Sequence, residues 1–281
     1  MRGWWLILFL LTATAAHAGE LKFATWNLNW LTFGDAGLPE DVKLREPEDW
    51  ETLRGYAIAL DADVVAIQEV DGPDAAARVF PPDRYVLHMT GDRVIQRVGF
   101  AVRRGIAFDI NPDVRAIALE PGSRLRSGAD ITLRLPSGPL RVLAVHLKSG
   151  CQHASVTRAP QRICLTLISQ FEFVDQWIAE RRDEGVAFML LGDFNRAMEK
   201  REKLIARAQA VAPMTRVTEG LSSPCWGVRD SFIDHILIGG PARAWVVADS
   251  MRVMTYRETD PAFKERLSDH CPVSVRLAIP G

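Results

Sequence analysis

The chain has 281 residues, 48% hydrophobic and 25% charged, with a formal net charge of −1. That balance leaves no global nucleic-acid footprint. With no low-complexity tract or repeat, the length fits one large α/β domain with a substantial core.

Arg2, the apolar run Trp4 to Leu11 and the small-residue site Ala16-His17-Ala18 predict a cleavable signal segment over 1–18. The run is too short to span a bilayer, so residues 19–281 are expected to form one exported domain, secreted or periplasmic, monomeric and without stable membrane insertion. A single uncleaved anchor is the alternative. Loss of Arg2 takes the charge from −1 to −2.

Leu21 to Trp26 predicts a strand that ends in Asn27 and Asn29, two apart and so on one side. A helix starts near Pro47, and Val64 to Ile67 is a strand ending at Gln68-Glu69. Gly72 to Val79 is a short helix, followed by strands Tyr85 to Met89 and Val98 to Val102. Ile131 to Leu135 and Leu140 to His146 form a hairpin that ends in His146-Leu147-Lys148. A long helix from Pro160 carries the stripe Ile163, Leu167, Phe171, Val174 and Ile178 and stops at Gly185. It leads into Phe188 to Leu191, a strand buried on both faces that delivers Asp193 and Asn195 into a loop. Met198 to Ala208 reads as helical. Phe232 to Ile238 is a strand with Asp234 and His235 on opposite faces, and Ser268-Asp269-His270 precedes a closing strand, Pro272 to Leu277. Strands and helices alternating, with hairpins between them, predict an α/β layered sandwich of mixed sheets.

Cys151, Cys164, Cys225 and Cys271 allow three connectivities in an oxidising compartment. Adjacency favours Cys151 with Cys164, a link worth about 3 kcal/mol. Cys225 with Cys271 follows by elimination, unless Cys271 is a buried free thiol. Charge is also uneven: Glu40 to Asp74 holds eleven acidic and three basic residues, whereas Arg93 to Arg162 holds twelve basic and four acidic. Arg126, Lys148 and the loop around Arg158 could form a basic rim above His146; solvated strand faces are the plainer reading.

Asn27, Glu69, His146, Asp193, Asn195, Asp234, Asp269 and His270 suit one chemistry. Carboxylates without HExxH or CxxC spacing point to a hard cation such as Mg²⁺, with Mn²⁺ or Ca²⁺ as substitutes. A histidine paired with an aspartate can orient or activate water, and amides can hold phosphate oxygens. Singly, Asn27 reads equally as a turn residue and Glu69 as a helix cap. His235 is expected to pack on the opposite face with no role.

TWNLNW, VVAIQEV, HLKS, LGDFNR, FIDHIL and SDHCPV, in this order, resemble the endonuclease/exonuclease/phosphatase superfamily. The resemblance implies a deoxyribonuclease I-like, four-layered α/β sandwich of two packed mixed β-sheets flanked by helices. It makes Glu69 the principal metal ligand, with Asn27 and Asn29 beside it. Asp193 would position or deprotonate the attacking water, Asn195 would bind the non-bridging oxygen, Asp234 would orient His270, Asp269 would aid metal or water placement, and His146 would contact the scissile phosphate. Two departures stand out. Gln96 is the nearest match to the glutamate that partners the histidine in the deoxyribonuclease branch, so His146 is expected to bind phosphate and not to act as an acid. The phosphatase branch's aromatic motif before Asp234 is also absent. The expected activity is metal-dependent phosphodiester hydrolysis, most simply of DNA or RNA by a nuclease. A lipid or small-molecule phosphoesterase is the alternative, although the sequence shows no apolar hairpin outside the signal segment. A non-catalytic binding module would need none of the acid, amide and histidine set.

Overall fold

A computed structural model describes residues 17–35, 37–40, 42–157, 160–199 and 202–281. One mixed sheet contains β1 (His17–Leu31), β2 (Val64–Val70), β3 (Tyr85–Met89), β4 (Arg97–Arg103), β13 (Arg252–Val253) and β14 (Val273–Pro280), ordered β13-β14-β1-β2-β4-β3. The other contains β5 (Phe108–Ile110), β6 (Ala129–Leu135), β7 (Gly138–His146), β8 (Ala187–Asp193), β9 (Met214–Arg216) and β12 (Asp234–Gly239), ordered β5-β6-β7-β8-β12-β9. A small ladder joins β10 (Ser222–Ser223) to β11 (Asp230–Ser231).

The sheets pack face to face through a core that includes Phe23, Phe100, Val142, Met189 and Ile236. Helices α1 (Pro47–Leu60) and α2 (Pro73–Val79) cover the outer face of the first sheet, and α3 (Arg162–Glu184) and α4 (Lys203–Val211) that of the second. The result is a four-layered α/β sandwich. The double burial of β8 follows from this layering: Met189 and Leu191 point into the inter-sheet core, whereas Phe188 and Leu190 pack under the outer helices. On α3, Leu167, Phe171, Val174 and Ile178 are all fully buried, each contributing about 2 kcal/mol by leaving water. Gly185 ends the helix at φ 67°, where only a residue without a Cβ is unstrained.

Both expected disulfides are present, Cys151–Cys164 and Cys225–Cys271, with Cα–Cα separations of 5.2 and 5.6 Å. The segment expected to be helical from Met198 differs. Glu202 accepts from the Ile205 N–H and caps a helix that starts at Lys203, and residues 200–201 of the expected helix lie outside the described residues. Of the expected signal segment, residues 1–16 lie outside the described residues, and His17 and Ala18 run into β1. Among the described residues no helix is long and apolar enough to cross a membrane. Leu221 and Val228, which flank the β10–β11 ladder, are exposed, a feature that no periodicity in the sequence announced.

Candidate metal and phosphate centre

Strand register assembles the site. β7 runs parallel to β8 with His146 opposite Asp193, and β12 runs antiparallel with Asp234 opposite the same residue. Three polar side chains therefore stand at one edge of the second sheet. Gly192 is required beside them: its φ is 149°, and a Cβ there would lie 2.0 Å from the Val145 carbonyl.

The facing edge of the first sheet is irregular. The ladder passes from Asn27↔Gln68 to Leu31↔Val70, so both strands bulge between these pairs. Within the bulge Asn29, Trp30 and Glu69 have φ of 44°, 55° and 60°. Each left-handed non-glycine residue costs about 1–2 kcal/mol, and such strain persists only where surrounding structure enforces it. Here the bulge re-aims Glu69 towards the second sheet. Asn27 Nδ2 bridges the two halves, donating to Glu69 Oε1 at 3.1 Å and to Asp193 Oδ2 at 3.0 Å. Glu69 Oε2 accepts from the Trp30 N–H at 3.1 Å.

Asn29 is directed elsewhere. Its amide reaches the Lys264 carbonyl at 3.5 Å and its N–H reaches Asn27 Oδ1, because the left-handed turn breaks the alternation that would have aligned Asn27 with Asn29.

Asp193 is 1% exposed and accepts three hydrogen bonds: from the Asn195 N–H (2.7 Å), Asn195 Nδ2 (3.0 Å) and Asn27 Nδ2. Burial nevertheless pushes its carboxyl up to about 7, with His270 pulling down and Asp234 pushing further up. Asn195, at φ 51°, spends its side-chain donors on Asp193 and on the Leu147 carbonyl, so in this structure it orients Asp193. His270 Nδ1 lies 2.7 Å from Asp234 Oδ2, and its Nε2 3.8 Å from Asp193 Oδ2. Burial opposes its charged form, but Asp234 and Asp193 outweigh burial and hold the imidazolium well above the usual range. Asp269, largely exposed, sits 3.8 Å from His270 Nε2 at the rim.

His146 is buried, with Nε2 3.5 Å from both Glu69 Oε1 and Asp193 Oδ2. Burial first, then Arg126, His270 and Lys148, keep it neutral, and its Nδ1 has no partner among the described residues.

Arg126 corrects the basic-rim expectation. It is 7% exposed, and burial lowers its pKa, which the carboxylates of Glu69, Asp193 and Asp92 beside it only partly offset. Among the described residues its Nε is unpartnered, and its one hydrogen bond is a long 3.4 Å bond to the Arg124 carbonyl. A buried guanidinium with free donors is placed to receive an anion. Lys148 is half-buried nearby, and Arg158 lies outside the described residues. His235 faces away and bonds to Thr218 and to the Arg196 carbonyl.

The donor set fits a hard divalent cation. Glu69 has only neutral N–H donors and, among the described residues, no salt bridge to Arg or Lys; Arg126 and Arg45 feel its charge only from a distance. Ligand atoms of Asp193, Asp234 and His270 also lie within 4.8 Å of one another. There, however, the imidazolium already supplies the positive charge, so Glu69, held by Asn27 and the Trp30 N–H, is the better cation seat. A cleft of about 240 Å³ opens beside His270, walled by Trp226, Asp230, Lys264 and Asp269. A larger cavity of about 460 Å³ lies behind β12 against His235 and Arg216, away from these carboxylates.

Residues 24–270 match the family model described as Endonuclease/Exonuclease/phosphatase family. No curated protein matches the chain by sequence. Among solved structures, D. rerio TDP2 complexed with single strand DNA product is 17% identical, covering 92% of this chain and 98% of that one at a TM-score of 0.62. An endonuclease/exonuclease/phosphatase from Beutenbergia cavernae is 20% identical (93% and 72% covered, TM-score 0.59). The 3'-5' exonuclease from Neisseria meningitidis is 17% identical (92% and 99% covered, TM-score 0.59). At these identities the likeness is one of fold.

Proposed function

The chain belongs to the endonuclease/exonuclease/phosphatase family, and on that premise we propose that it is an exported, Mg²⁺-dependent phosphodiesterase that hydrolyses nucleic acid by in-line attack of water. The observation that carries this reading is the buried Asp193 carboxyl, raised to about 7, 3.8 Å from an imidazolium and joined through Asn27 to Glu69, which no Arg or Lys salt-bridges among the described residues. Burial brings the carboxyl to the range in which a general base works, while Asp234 and Asp193 keep the imidazole protonated as an acid.

Asp193, oriented by Asn195 and Asn27, takes the proton of the attacking water. His270, held by Asp234, donates from Nε2 to the phosphate as charge develops. Arg126 and Lys148 bind non-bridging oxygens, and neutral His146 lines the same wall. Asp269 orders water at the rim. A cation held by Glu69 would supply Lewis-acid stabilisation of the phosphate. Secretion or a periplasmic location accords with the two disulfides.

Nucleic acid is favoured over lipid because the buried Arg126 and half-buried Lys148 stand beside the site to hold backbone phosphates and a structure of the same fold holds a DNA product. The test compares single- and double-stranded DNA, RNA, bis-p-nitrophenyl phosphate and sphingomyelin over a salt series, for wild type and Lys148→Ala. Polynucleotide cleavage should fall steeply with salt and fall further in the variant, whereas the small diester should barely respond. Robust release from sphingomyelin with no DNA or RNA cleavage would replace this reading by the lipid alternative, for which exposed Leu221 and Val228 offer an apolar edge.

A further inference from the structure

Arg45 lies in the loop before α1, is 8% exposed and forms no ion pair among the described residues. Its guanidinium serves carbonyls alone: Nη1 donates to Trp30 O at 3.0 Å, and Nη2 to Leu28 O at 2.6 Å, Asn29 O at 2.7 Å and Leu267 O at 2.7 Å. Burial lowers its pKa to about 10 despite Tyr256, Asp49 and Glu69, so the charge is placed here at a cost.

The geometry shows what that charge does. A left-handed turn at Asn29 and Trp30 sends successive carbonyls to one side and successive N–H groups to the other. The carbonyls meet Arg45. The N–H groups meet the site, Trp30 N–H on Glu69 Oε2 and Asn29 N–H on Asn27 Oδ1. The fourth carbonyl, Leu267 O, belongs to the segment that carries His270, and Ser268 Oγ adds a second tie by donating to Asn27 O at 2.7 Å. We propose that Arg45 is the positioning residue that fixes the Glu69 carboxylate in its cation-binding orientation and locks the Glu69 half of the site to the His270 half. This deepens the function proposed above and rests on it.

The test is calorimetric titration of Mg²⁺ into wild type, Arg45→Lys, Ser268→Ala and Arg45→Lys with Trp30→Gly, alongside thermal melts. Lysine keeps the charge but not the planar fork, so Arg45→Lys should weaken Mg²⁺ binding about 10- to 100-fold, as loss of a partner behind a ligand does. Ser268→Ala should weaken it in the same direction by less. Glycine at position 30 takes φ 55° without a clamp and should restore part of the lost affinity. A lowered melting temperature with a Mg²⁺ dissociation constant within about twofold of wild type would make Arg45 merely structural and overturn the proposal, as would absence of rescue by Trp30→Gly. Should Arg45→Lys not fold, an unchanged constant in Ser268→Ala overturns it alone. Wild type that binds no metal would remove the functional reading and this inference together, whereas binding equal in wild type and variants removes only the inference.

Discussion

Asp193→Asn should lower kcat for phosphodiester cleavage about 10²- to 10⁴-fold, the range for loss of a general base, while making the chelator-treated protein more stable above pH 7. Both effects come from one cause. Burial raises the Asp193 carboxyl to about 7, so between its unfolded value near 4 and that point the native state holds a proton the unfolded chain has released. Stability is therefore full at low pH and declines as pH rises through the folded value. Asparagine keeps the shape and most of the hydrogen bonds without the buried charge. Kinetics on a small diester and thermal melts at pH 5 and pH 8 in EDTA measure the two effects. An asparagine variant with wild-type turnover would rule out the base, and equal melting behaviour at pH 8 would show that the charge is not costly.

Asp234→Asn should lower kcat at neutral pH by about 10²-fold or more and move the whole pH–rate bell towards acid. The ascending limb follows Asp193, which must lose its proton, and the descending limb follows His270, which must keep one. Asp234 raises both, so removing its charge lowers both, and the two limbs belong to the coupled pair. A loss of rate with both limbs unmoved would mean that Asp234 acts through packing alone.

Most of this site could be read from chain order, because strand ends carry polar residues and register does the rest. Asp193, Asp234 and His146 needed only their strands to be identified for the sheet to place them side by side. Cysteine adjacency likewise pointed to Cys151–Cys164, and elimination to Cys225–Cys271. What was not legible depends on departures from regular geometry. Alternation assumes an unbroken pleat, and the bulge at Asn29–Trp30 and Glu69 sends Asn29 to Lys264 and Glu69 into the site. Charge counting assumes that arginines are exposed, yet Arg126 and Arg45 are both buried, one beside carboxylates and one against carbonyls. Arg45 carries no motif or spacing, since its partners are backbone oxygens 15 to 222 residues away. The positive φ of Asn29 and Asn195 sits on a residue type that tolerates it, but at Trp30 and Glu69 no residue preference announces it.

The most direct test of metal-dependent phosphodiester hydrolysis at Glu69 and Asp193 is the rate of bis-p-nitrophenyl phosphate cleavage by purified wild type and Glu69→Gln, titrated with Mg²⁺ after EDTA treatment. Glutamine preserves the shape and the bond from Trp30 but removes the charge a hard cation needs. Wild-type activity should vanish in EDTA and return saturably with Mg²⁺, and Glu69→Gln should require far more metal or stay silent. A wild-type rate indifferent to EDTA, or a Glu69→Gln variant with the wild-type Mg²⁺ curve, would contradict it.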